Sequence, residues 1–155
     1  MIWTEVLLFL QQNIKEIWLS LWLMAWVVWD LKYRVIHRWQ GVLVMAAGLL
    51  WQGIDGELFT ASVLGGLVLG GVVWWISWAT KDRFGRGDAM VILCLGLYLG
   101  FGICLSVLMW ALLVASFLSL YLLLVQKKSK DHAIPFIPCL AAGYLIHTMF
   151  LWVPG

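Results

Sequence analysis

Apolar runs take up most of this sequence, and they leave few folds open to it. They cover 17–29, 42–51, 59–80, 89–101, 103–125 and 133–153, with glycine, proline or charged residues at the breaks. A helix that crosses a bilayer needs about 20 mostly apolar residues. The second run reaches that length only with its flanks and could otherwise be a re-entrant segment. Of 155 residues, 64% are hydrophobic and 12% charged, too few polar groups to cover a soluble domain. The expected architecture is therefore all-α: a polytopic bundle of about six transmembrane helices, forming one membrane-embedded domain over 1–155.

The cations test that count. Lys32, Arg34 and Arg38 follow the first run, Lys81, Arg83 and Arg86 the third, and Lys127, Lys128 and Lys130 the fifth. Basic loops stay on the cytoplasmic side, so the alternation fits one orientation and keeps the second run as a span. Asp55 and Glu57 fall on the opposite side, where Lys15 is the one basic residue of ten. The N-terminus is thus expected outside. Lys15 before an apolar run resembles the start of a signal peptide, but that run ends in Asp30-Leu31-Lys32 and not in a small-residue cleavage site, so the first span should be retained. A net charge of +2 divided among three loops makes no basic patch. Nucleic acid is excluded as a partner, and the lipid bilayer takes its place.

Several residue patterns read as packing. Gly66 and Gly70, like Gly96 and Gly100, are spaced to let helix backbones approach. Trp18, Trp22, Trp26 and Trp29 recur at helical spacing and should face lipid or a neighbouring helix, while Trp39, Trp51, Trp78 and Trp152 lie near run ends, where tryptophan anchors at the interface. Cys94, Cys104 and Cys139 have no C-x-x-C spacing and behave as small hydrophobes. His37, His132 and His147 lack metal-ligand spacing, and His147 reads as a hydrogen-bonded helix residue. Neither a metal nor another cofactor is expected.

Asp30 closes one run and Asp88 opens another, two spans later, so both belong at the cytoplasmic boundary. A carboxylate at a helix centre costs about 2.5–3.5 kcal/mol on insertion scales, and less towards the interface. Two acids in one site supply a reason for that cost, since they can share a proton: the ionised one activates water and the protonated one polarises a carbonyl. The bland alternative has each aspartate capping a helix or pairing with Lys32, Arg34 or Arg86. Asp82, between Lys81 and Arg83, reads as a solvated charge.

Three local sequences bear on that choice. Gly85-Arg86-Gly87-Asp88 resembles the G-x-G-D motif of intramembrane aspartyl proteases. Asp30-Leu31-Lys32-Tyr33-Arg34-Val35-Ile36 resembles the D-L-x-x-x-x-I-P segment of type IV prepilin peptidases, and the stretch from Ile134 to Gly143, with Pro135 and Pro138, is similar to the I-P-F-G-P-x-L-A-x-G opening of that family's last helix. The resemblance spans the chain from the first apolar run onward. It implies that Asp30 and Asp88 are catalytic, that Gly85 and Gly87 shape the active-site loop, and that Pro135 and Pro138 break the helix beside it.

It further implies a substrate, a type IV prepilin or pseudopilin of a pilus or type II secretion system, cut after a glycine that ends a short basic leader. The place implied is the cytoplasmic face of a bacterial inner membrane. His37 stands where the family usually has proline, and Met90 where it commonly has lysine, which touches loop geometry and substrate contact but not the acid pair. Longer members carry an N-terminal domain with paired C-x-x-C motifs associated with N-methylation. Nothing equivalent is found in this sequence, so the resemblance implies a short form and leaves methylation, with any S-adenosylmethionine requirement, open. The rival readings are a small proton-coupled transporter, with the two acids as relay, and a membrane assembly protein; no inverted repeat supports the transporter.

Overall fold

A computed structural model describes residues 2–33, 38–56, 59–80, 85–124 and 136–152. Pro135, Asp82, Glu57, His37, His132 and most of the basic loop residues lie outside that set. The described chain is all-helical, with α1 Ile2–Tyr33, α2 Arg38–Ile54, α3 Ala61–Ala79, α4 Arg86–Leu124 and α5 Phe136–Trp152. Two of these, α3 and α4, are long and apolar enough to cross a membrane, and 39–54 and 136–150 are shorter apolar helices. Their outward faces carry Val68 and Trp75 on α3 and Leu113, Phe117 and Leu124 on α4, all exposed. Such a surface suits lipid.

Helix ends follow local chemistry. Thr60 caps α3, its hydroxyl accepting the Val63 amide at 3.4 Å. At the other end the Thr80 amide closes on the Ile76 carbonyl at 2.9 Å. α2 runs out at Gly56, which takes the left-handed φ of 72° that favours glycine after a helix. Pro138 sits in the first turn of α5, where the amide it lacks would have no helical partner.

Six apolar runs become five helices because the fourth and fifth are one element. Within α4, Gly100 has φ 74° and ψ 179°, which is not helical. The Cys104 thiol lies 3.8 Å from the Ile92 carbonyl oxygen, twelve residues back; along a straight helix that separation would be about 18 Å. The chain therefore folds back at Gly100 into two arms, 86–99 and 101–124. A Cβ at Gly100 would strike Ser62 Oγ at the start of α3.

This hairpin is the centre of the bundle, with α1, α2, α3 and α5 packed on it. Gly66 of α3 meets Gly96 backbone to backbone: a Cβ on Gly66 would stand 2.8 Å from the Gly96 carbonyl carbon. Gly143 of α5 lies similarly against the second arm, 2.6 Å from the Val107 oxygen by the same measure. Polar links join helices where water is absent. Tyr98 donates to the Val44 carbonyl at 3.0 Å, Gln52 to the Leu97 carbonyl at 2.9 Å, and Ser106 Oγ meets His147 Nδ1 at 2.9 Å, so His147 is the hydrogen-bonded helix residue its sequence context suggests. At the end away from Asp88, Lys15 pairs with Asp55, which sets those two residues on one side of the bundle.

Candidate active site

Leu19, Leu23, Trp26 and Asp30 fall on one face of α1 by helical periodicity. The first three are core residues at 0%, 2% and 1% exposure, and Asp30 continues their stripe at 8%. On α4, Asp88, Ile92 and Leu95 form a second stripe. Ile92 and Leu95 belong to the same hydrophobic cluster as Leu19, Leu23 and Trp26. Both aspartates thus terminate apolar faces that meet in one core. The charge of Asp30 bears on Asp88, which puts the two side chains within electrostatic reach of each other.

Asp88 lies in the first turn of α4, where aligned peptide dipoles favour a negative charge. Gly85 makes room for it. A Cβ at Gly85 would lie 2.9 Å from Asp88 Oδ2, and the Gly85 carbonyl accepts the Ala89 amide at 3.2 Å. Gly87 lies instead on the wall of a neighbouring cleft with Met90 and Arg86. Pro138 lies in the first turn of α5, while Pro135 is outside the described residues.

One neighbour goes unnoticed in the sequence. Cys139, 2% exposed in the first turn of α5, lies within reach of the Asp88 charge. An isolated cysteine in an apolar run carries no sequence signal that would have marked it. The last turn of α1 and the first turns of α4 and α5 therefore bring Asp30, Asp88 and Cys139 to one end of the apolar bundle.

Over 135 residues, 79% of this chain, the sequence is 30% identical to a prepilin leader peptidase/N-methyltransferase of Aeromonas hydrophila, covering 47% of that protein. A protein of the same description from Aeromonas salmonicida (strain A449) is likewise 30% identical, over 46% of its length. The chain is similar to these prepilin leader peptidases and spans about half of their length. No family model matches the chain. No solved structure matches it either.

Proposed function

We propose that this protein is a prepilin or pseudopilin leader peptidase in which Asp30 and Asp88 act together on a peptide bond at the cytoplasmic face of a bacterial inner membrane. What supports the reading is that Asp30 and Asp88 end apolar stripes of one shared core, where the charge of one bears on the other. Relatives described as prepilin leader peptidases support the substrate, a protein whose short basic leader precedes an apolar helix. Six crossings with the N-terminus outside follow from the alternating cations, counting the arms of α4 separately. The Lys15 and Asp55 pair at the far end suits that orientation.

In the reaction, one carboxylate takes a proton from water as its oxygen attacks the scissile carbonyl, and the other, protonated, donates to the carbonyl oxygen. Collapse of the tetrahedral species breaks the C–N bond, and the amine leaves with a proton from the pair. Gly85 leaves Asp88 space to face the peptide, and Cys139 helps keep water scarce. Asp30→Asn and Asp88→Asn should each abolish cleavage of a prepilin by the purified protein, since an amide cannot shuttle the proton, and the double variant should be no worse than either single one. Cleavage should persist in a chelator. Substantial turnover by either single variant would remove the pair from the mechanism.

A further inference from the structure

A cleft of about 410 Å³ opens between α2 and α3, with Val42 on one wall, Trp74 and Trp78 on the other, and Gly87 and Met90 of α4 at its floor. Met90 and Asp88 point about 160° apart around their helix. The cleft and the carboxyl groups therefore lie on opposite sides of the first turn of α4. What separates them there is Gly87, which has no side chain to block a chain crossing over the helix end. A helix is roughly 10 Å wide and extended peptide advances about 3.3 Å per residue, so roughly three residues make the crossing.

We infer that this cleft seats apolar side chains of the substrate's mature segment, about three residues beyond the scissile bond, and that Val42, Trp74 and Trp78 set which sizes fit. This rests on the peptidase reading above. Size and lining select the occupant. The cleft falls in the range of roughly 300–1,000 Å³ typical of sites for small groups, enough for a few side chains and too little for a whole helix. Apart from Arg86 and Gly87 its lining is apolar, with Val42, Met45, Trp74, Trp78, Met90 and Leu93, so apolar side chains enter it more readily than the charged side chains of a basic leader.

The test uses the full chain, purified and reconstituted, and prepilin substrates bearing Ala, Leu or Trp at the third and fourth positions after the cut. Trp78 is 70% exposed and Val42 49%, so neither substitution below disturbs the core. Trp78→Ala should raise the kcat/KM ratio for the Trp substrate over the Ala substrate about tenfold, and Val42→Trp should lower it about tenfold, the scale on which pockets discriminate by size. Ratios equal to wild type in both variants would overturn the assignment. If Val42→Trp instead loses a co-purified phospholipid, detected by native mass spectrometry, with the ratios unchanged, the cleft is a lipid seat and the assignment falls. A wild-type protein that cuts none of the panel would overturn the peptidase reading itself, and this assignment with it.

Discussion

Gly85 shows how much one hydrogen atom decides at this site. With a methyl group 2.9 Å from Asp88 Oδ2, the carboxyl of Asp88 would have to move by a few tenths of an ångström. Gly85→Ala should lower kcat on a prepilin roughly tenfold, since small misplacements of reacting groups are costly. Gly53 provides the comparison, because a Cβ there meets nothing within 4 Å; Gly53→Ala should cleave at the wild-type rate. Both rates come from the same assay, with membrane content checked by immunoblot. The G-x-G-D pattern makes Gly85 and Asp88 legible in sequence, whereas Cys139 is not, because an isolated cysteine in an apolar run looks the same in a core or beside a carboxylate.

Helix faces divide what composition leaves uniform. The tryptophans of α1 recur at one spacing, yet Trp26 is 1% exposed while Trp18 and Trp29 are 39% and 37% exposed. Trp18 and Trp22 pack edge to face at 5.9 Å between ring centroids. Interiors and lipid are both apolar, so hydropathy does not separate these roles. The hairpin in α4 is the sharper case: the stretch 89–125 is apolar apart from glycines and Ser106, Ser116 and Ser119, and the reversal depends on the φ of 74° at Gly100. Gly100→Val forces a β-branched residue into that conformation, at a cost of about 1–3 kcal/mol, and drives its Cβ into Ser62 Oγ. It should lower the thermal unfolding midpoint measured by tryptophan fluorescence in detergent. An unchanged midpoint would mean that the turn does not constrain the bundle.

At the scale of the whole molecule, two ends are distinguished: one with Lys15, Asp55, Ser62 and Gly100, the other with Asp30, Asp88 and Trp78. Cysteine probes placed at positions 55 and 86 of a cysteine-free protein should label from opposite faces of sealed vesicles, position 86 from the cytoplasmic one, as the basic loops require. Labelling of both from one face would refute the six-crossing arrangement. The sequence by itself determined the all-helical class, because only helices satisfy every backbone group of such apolar runs in lipid. It also marked both acids and the loop glycines, because charge in an apolar run is costly and therefore conspicuous. Tertiary structure alone decided that α4 folds back on itself, that Asp30 and Asp88 finish stripes of one shared core, and that a cleft opens behind Gly87. Those features depend on which helix faces meet, and glycine contacts as close as Gly66 against Gly96 fix that through three-dimensional fit, which hydropathy along a chain does not encode.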